Sequence, residues 1–218
     1  MIDPHAILQS LAKRRPVFHS EADFQHEFAW ELRSLEPCSE VRLEVPSSIA
    51  GVGTTDIVVR KQGRLQGVEL KYLTRRRRWE VQGEVFHLKA QGAQDLRRYD
   101  VMRDIQRLEA FNRQRLGPSF VIVLTNDPSY WKLFERRETI DSAFRLHDGR
   151  IAKGRLAWAS HAGAGAIRSR NVALELSGSY ALNWRDYSDA DDGKDPFRYL
   201  MVEVSGQPCA PSPTPLPI

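Results

Sequence analysis

Three residues in the first half of the chain have side chains that could act together on a substrate: Asp56, Glu69 and Lys71. They lie in two neighbouring segments whose residue pattern predicts β-strands, and the turn dipeptide Gln62–Gly63 separates these segments. A two-residue turn at this dipeptide places Asp56 directly opposite Glu69, where Cβ atoms are about 4.5–5.5 Å apart. Lys71 follows Glu69 by two positions and therefore projects from the same face of the sheet. A three-residue turn would shift this register.

Two carboxylates at that separation repel each other, and a sheet gains nothing from the pair without a positive charge. Hard oxygen ligands of this kind favour Mg²⁺ or Mn²⁺ over zinc. A divalent cation polarises a phosphoryl oxygen and lowers the pKa of bound water, and a neighbouring ammonium group orients that water or stabilises negative charge. The three side chains therefore predict a site that hydrolyses phosphodiesters.

This pattern resembles the PD-(D/E)xK nuclease superfamily, which has the restriction-endonuclease-like or Holliday-junction-resolvase-like fold. The residues that carry the resemblance are Thr-Thr-Asp-Ile-Val-Val at 54–59 and Val-Glu-Leu-Lys at 68–71, with a capped helix before them and an α–β unit after them. The resemblance covers about residues 20–126, and Thr55 stands where the family's name has proline. It implies a mixed core sheet of four strands flanked by helices.

The resemblance also implies roles for individual residues. Asp56 and Glu69 would bind Mg²⁺ or Mn²⁺, together with the backbone carbonyl of Leu70, and Lys71 would be the catalytic lysine. Many nucleases of this kind dimerise to cut two strands, so a second copy of the chain is a further expected partner.

Glu21 is the fourth expected site residue. Ser20–Asp23 resembles a capping box at the start of a helix. Glu21 lies three residues before Phe24 and seven before Phe28, and therefore on the helix face that packs against the sheet. Many members of the superfamily place a glutamate on this helix to reach the metal, so we assign Glu21 to the catalytic and metal-binding set. The alternative is that Glu21 only compensates the helix dipole.

Positive charge is concentrated in the middle of the chain. Residues 60–115 contain 15 Lys or Arg against 7 Asp or Glu, although the formal net charge of the whole chain is only +4. Such a segment favours a polyanionic partner, and we expect nucleic acid, DNA rather than RNA. The candidate contacts are in a basic loop and before the next helix: Arg75, Arg76, Arg77, Arg78, Lys89 and Gln91. The alternatives are a GC-rich coding sequence, which enriches arginine without a function, and a loop that is only solvated.

The remaining pattern predicts an α/β fold. It indicates helices that begin at Asp3–Pro4 and near residue 20, a helix over about 90–115, and a short buried strand at Phe120–Thr125. This order predicts a mixed central β-sheet flanked by helices. The expected parts are an N-terminal helix at 1–19, a restriction-endonuclease-like core at 20–135, a β-rich C-terminal elaboration of the same domain at 136–205, and a disordered Pro- and Ser-rich tail at 206–218.

Composition excludes several classes of protein. No apolar run approaches the roughly 20 residues of a membrane helix, and the first 16 residues do not have the pattern of a secretory signal. Cys38 and Cys209 cannot form a disulfide framework or a four-cysteine zinc site, and the six histidines show no metal-ligand spacing. We therefore expect a cytoplasmic protein with reduced thiols and no membrane partner.

Together these features predict a metal-dependent nuclease in which Lys71 assists the attacking water. Three alternatives remain open. The acidic pair and Lys71 could form a surface ion-pair lattice with Arg60 and Arg64. The chain could instead bind nucleic acid without cutting it, or it could be a protein-interaction subunit that reuses the fold.

Overall fold

The computed structural model describes residues 1–46, 53–113, 117–133, 138–165, 167, 169–188 and 196–205. The described residues form three α-helices, one 3₁₀ turn and ten β-strands. The helices are α1 Pro4–Arg14, α2 Glu21–Leu35 and α3 Gln94–Asn112, and the 3₁₀ turn is Ser142–Phe144. The strands are β1 Glu40–Pro46, β2 Thr54–Lys61, β3 Arg64–Leu73, β4 Arg77–Val81, β5 Glu84–Leu88, β6 Ser119–Thr125, β7 Arg150–Leu156, β8 Leu174–Leu182, β9 Trp184–Ser188 and β10 Phe197–Val204. The tail expected at 206–218 lies outside the described residues.

Six of these strands form one mixed sheet in the order β1-β2-β3-β6-β10-β9. Strands β3 and β6 are parallel and are joined through α3, whereas every other neighbouring pair is antiparallel. The β4–β5 pair and the β7–β8 pair form separate two-stranded ladders. The predicted mixed α/β class is confirmed, and two of the C-terminal strands, β9 and β10, complete the central sheet.

The β2–β3 hairpin has the predicted register. Gln62 and Gly63 have φ angles of 51° and 75°, and a type I′ turn requires this left-handed conformation at both positions. The predicted pairing runs from Lys61 and Arg64 to Ile57 and Val68, and the ladder ends there, one residue before Asp56 and Glu69.

Apolar side chains cover both faces of the sheet and form two core clusters. One cluster contains residues of α1 and α2 such as Leu8 and Phe28, and the other contains residues of α3 such as Ile105. Leu70 of β3 belongs to the first cluster, whereas Leu73 belongs to the second. Because successive strand residues point to opposite faces, the residues on either side of Leu70 point towards α3.

The starts of α1 and α2 are fixed by the predicted caps. Asp3 Oδ1 accepts hydrogen bonds from the backbone N–H of His5 and Ala6, at 3.0 and 3.3 Å. Ser20 Oγ accepts one from the backbone N–H of Asp23 at 3.1 Å. The second cap determines where α2 begins next to the sheet.

None of the helices in the described ranges is both long enough and apolar enough to cross a membrane.

Candidate active site

Strands β2 and β3 separate at Asp56, and side chains take over the hydrogen bonding of β3 there. The β2–β3 ladder ends one residue short of Asp56, although the pairing of β2 with β1 continues to the first residue of β2. Beyond this point, the Leu70 N–H donates to Asp56 Oδ2 at 2.7 Å, and the Tyr72 N–H donates to Glu21 Oε2 at 2.9 Å. Carboxylates from two separate elements are thereby held along one edge of β3.

Glu69 is the most deeply buried acid of the predicted set. It is 1% exposed, and its Oε1 lies 3.2 Å from a guanidinium nitrogen of Arg107 on α3. Burial raises the pKa of Glu69 to about 9, and the carboxylates of Asp104 and Asp56 contribute in the same direction, while the charge of Arg107 opposes the shift. Glu69 is therefore a carboxyl group whose ionised form needs more positive charge than the described side chains provide.

Lys71 lies among acidic side chains on the same face. Its Nζ is 3.0 Å from Asp104 Oδ2 and donates to the Leu70 carbonyl at 3.2 Å. Burial alone would lower the pKa of Lys71, but the surrounding carboxylates, Asp104 first, outweigh burial and raise that pKa above its ordinary value. Lys71 is consequently a charged ammonium group at neutral pH.

The pKa of Asp56 is also raised above its ordinary value. Burial raises its pKa, and Asp104 and Glu21 add to this, whereas Lys71 and the N–H of Leu70 act against the shift. Burial is therefore the main reason why the pKa of Asp56 is raised, and the neighbouring acids add to it.

Charge at the site does not balance among the described residues. With all four carboxyl groups ionised, which for Glu69 requires a pH above about 9, the acids outnumber the cations by two, which is the charge of one divalent metal ion. The acids are Glu21, Asp56, Glu69 and Asp104, and the cations are Lys71 and Arg107.

The carboxylate oxygens of the site suit a hard cation, but in this structure they lie against the side chains of Lys71 and Arg107. Among the described residues, no group of three or more His, Cys, Asp or Glu side chains is placed to hold a metal ion. The buried oxygens Glu69 Oε1 and Asp104 Oδ2 make no hydrogen bond within the described part of the chain. They lie instead against the charged groups of Arg107 and Lys71. In chemical type and charge the set fits Mg²⁺ or Mn²⁺, because both ions prefer carboxylate oxygens.

The structure brings the sequence-predicted residues to one end of the hairpin. Asp56, Glu69 and Lys71 occupy the place where the strands separate, and Glu21 joins them from the exposed first turn of α2. The Leu70 carbonyl, expected as a metal ligand, accepts a hydrogen bond from Lys71 Nζ.

The ion pairs at the site do not involve Arg60 or Arg64, which a surface ion-pair lattice would require. Arg60 and Arg64 are exposed and lie near the turn end of the hairpin, where Arg60 pairs with Leu65 and Arg64 with Lys61. The charged partners of the site come from α3 instead.

Sequence reasoning missed the two site residues on α3, Asp104 and Arg107. A signal for Asp104 was present, because it lies between Val101 and Leu108 on the helix face that packs against the sheet. A carboxylate within such a stripe needs a buried partner. Arg107, three residues further on, pairs with Asp104 Oδ1 at 2.8 Å.

The segment after β5 is attached to the end of β3. Gln91 Nε2 donates to the Tyr72 carbonyl at 2.8 Å, and Thr74 Oγ1 donates to the Lys89 carbonyl at 2.8 Å. Because the N–H of the same Tyr72 is bound by Glu21, the predicted contact residue Gln91 lies beside the acidic site.

A basic cleft of about 630 Å³ adjoins this segment. Arg76, Arg78 and Lys89 line it and are exposed. The remaining lining residues are Arg77, His87, Leu88 and Ala90.

The prediction of a basic loop at 75–78 is wrong in its second half, because β4 begins at Arg77. Hairpin pairing joins Arg77 to Leu88 and Arg78 to His87. Arg75 precedes the strand, and its N–H donates to Asn126 Oδ1 at 3.0 Å.

Part of the positive charge in the middle of the chain is used internally. Arg98 of α3 pairs with Asp141 at 2.5 Å, and Asp100 pairs with both Arg103 and Arg170, at 3.1 and 2.8 Å. The excess of basic residues counted from the sequence therefore overstates the charge that faces solvent.

No known protein family, curated protein or solved structure matches this chain. Its own geometry defines a mixed sheet with helices packed on both faces and a site of carboxylates and lysine where two strands separate.

Proposed function

We propose that this protein is a metal-dependent nuclease that hydrolyses phosphodiester bonds in nucleic acid, with DNA as the preferred substrate. The observation that carries the proposal is that Asp56, Glu69 and Lys71 lie together where β2 separates from β3, in a partly buried place where neighbouring acids add to the raised pKa of both carboxyl groups. The order β1-β2-β3-β6, with β3 and β6 parallel, also supports a restriction-endonuclease-like core.

Asp56 and Glu69 would hold Mg²⁺ or Mn²⁺, with Glu21 and the Leu70 carbonyl as further ligands. The bound ion would supply a polarised phosphoryl oxygen and a water of lowered pKa. The protein's own contribution is to hold Asp56 and Glu69 on rigid strands, and Glu21 at the start of α2, before the ion binds.

Lys71 acts in this proposal as a positively charged donor. Its raised pKa keeps the ammonium group protonated, so it does not remove a proton from water at neutral pH. It orients the attacking water and stabilises the negative charge that develops on the phosphate. Asp104 is a positioning residue, because its carboxylate holds Lys71 Nζ at 3.0 Å.

The basic cleft would hold the nucleic acid backbone. Its arginines, at 76–78, follow the end of β3 closely in sequence. The carbonyl of Lys89 accepts a hydrogen bond from Thr74 Oγ1 at the same end of β3. A strand that contacts Arg76, Arg78 and Lys89 by its phosphates would therefore enter the molecule beside the acidic site.

The proposal is tested by incubating single- and double-stranded DNA and RNA with the protein and Mg²⁺ or Mn²⁺. The wild type should cleave DNA, and EDTA should abolish cleavage. Asp56→Asn, Glu69→Gln and Lys71→Met should each lose activity, whereas the matched control Glu175→Gln, at an exposed acid on β8, should not. Equal cleavage by all four variants would contradict the proposal.

One observation favours a second candidate, a nucleic-acid-binding protein that does not cut. Arg107 and Lys71 already pair with Glu69 and Asp104, and the described residues contain no group of three metal ligands. This candidate predicts salt-dependent binding that needs no metal and is unchanged by Asp56→Asn, and it predicts no turnover with any divalent ion.

A further inference from the structure

Arg107 contacts two acids of the site, Glu69 and Asp104. Its guanidinium group lies 3.2 Å from Glu69 Oε1 on β3 and 2.8 Å from Asp104 Oδ1 on its own helix. It also donates to the backbone carbonyl of Thr54, the first residue of β2. One side chain thus bridges both strands that separate at Asp56.

The backbone before β2 lies close to this guanidinium. Gly53 precedes β2 with a φ of 72°, and a Cβ added there would lie 3.6 Å from Arg107 Nη2. The guanidinium therefore lies between the Gly53–Thr54 backbone, β3 and α3, and the Arg107 side chain is 16% exposed. A planar group with five N–H donors can satisfy three oxygens at once, which a lysine cannot do in the same way.

The carboxylate that Arg107 covers is one that the proposed function assigns to the metal. A divalent ion bound to Glu69 would meet the positive charge of Arg107 about 3 Å from the same oxygen, and like charges at that distance repel strongly. The two cations therefore compete for Glu69.

We propose that Arg107 is a built-in competitor of the catalytic metal: it holds Glu69 in the metal-free protein and must leave this carboxylate before Mg²⁺ or Mn²⁺ binds. This inference rests on the proposed function. It assigns to Arg107 control over the metal affinity of the site. Removal of Arg107 strengthens metal binding, and metal binding in turn releases the Arg107 side chain, because such coupling is reciprocal.

The test is a titration of the full chain with Mn²⁺ and no nucleic acid, followed by electron paramagnetic resonance of free Mn²⁺. Arg107→Met should bind Mn²⁺ on the order of ten-fold more tightly than the wild type. Arg103→Met is the matched control, since Arg103 lies one turn earlier on α3 and pairs with Asp100 outside the site. It should bind Mn²⁺ as the wild type does, and Glu69→Gln should abolish binding.

A second measurement keeps the inference testable if Arg107→Met does not fold. The Nη–H signals of Arg107 in the ¹⁵N spectrum, assigned with Arg107→Lys, should exchange slowly without metal and rapidly at saturating Mg²⁺, because the Nη groups make the contacts with Glu69, Asp104 and Thr54. If Mn²⁺ binds through Glu69 with equal affinity in the wild type and Arg107→Met, the competition is refuted but the proposed metal site stands. If neither protein binds Mn²⁺, the metal-dependent function fails, and this inference fails with it.

Discussion

Lys71 Nζ lies 3.0 Å from Asp104 Oδ2, in an ion pair that joins β3 to α3 and leaves the Asp104 carboxylate 1% exposed. This contact links the predicted lysine to a helix residue 33 positions later in the chain. It keeps the ammonium charged, so Lys71 is a hydrogen-bond donor at neutral pH and is unsuited to act as a base.

The first prediction concerns the role of Lys71. Lys71→Met should lower the single-turnover rate of DNA cleavage by about 100- to 1,000-fold, the usual effect of removing one donor to a developing negative charge. Lys71→Arg should restore part of the rate, because it keeps the positive charge. Mn²⁺ binding should persist in Lys71→Met, since the methionine removes a cation and leaves the carboxylates in place. A full loss of Mn²⁺ affinity would instead make Lys71 a structural residue.

The second prediction concerns stability as a function of pH. The pKa of Glu69 is raised from 4.5 to about 9 in the folded protein, so between these values the folded state binds more protons than the unfolded state. Stability therefore falls as pH rises through this window, and the contribution of Glu69 is complete only below about pH 4.5.

Urea unfolding at several pH values in EDTA checks this expectation. The free energy of unfolding of the wild type should decrease from pH 5 towards pH 9, and Glu69→Gln should show a clearly smaller decrease. Glu175→Gln, at an exposed position on β8, should follow the wild type. Identical pH dependence in Glu69→Gln and the wild type would mean that Glu69 is not the group that titrates.

The third prediction concerns the basic cleft. Arg76→Ala and Arg78→Ala should each weaken DNA binding and reduce the salt dependence, log Kd against log salt, by about one unit of slope, because each removes one phosphate contact. Arg155→Ala serves as the control, since this exposed residue lies on β7 in a separate ladder. Unchanged salt slopes in both cleft variants would place the nucleic acid elsewhere.

The hairpin that carries the site could be predicted from the sequence because its determinants are local. A Gln-Gly dipeptide adopts positive φ at both positions and fixes which residues face each other. The same signal recurs at Gln82–Gly83, with φ of 52° and 81°, and the β4–β5 hairpin that it closes could have been predicted in the same way.

The partners of the site could not be predicted, because they depend on tertiary packing. The distance between Arg107 and Glu69 depends on how α3 crosses the sheet, which local periodicity does not determine. Similarly, β10 pairs with β6 and β7 pairs with β8 across large sequence separations. Non-local strand pairing leaves little trace in a single sequence.

The most direct test of the metal site is a crystal of the protein soaked in Mn²⁺ at alkaline pH and measured for anomalous scattering. An anomalous peak is expected between the carboxylates of Asp56 and Glu69, with the Arg107 guanidinium moved away from Glu69. A map without a peak at saturating Mn²⁺, in which Arg107 stays within ion-pair distance of Glu69, would contradict this expectation.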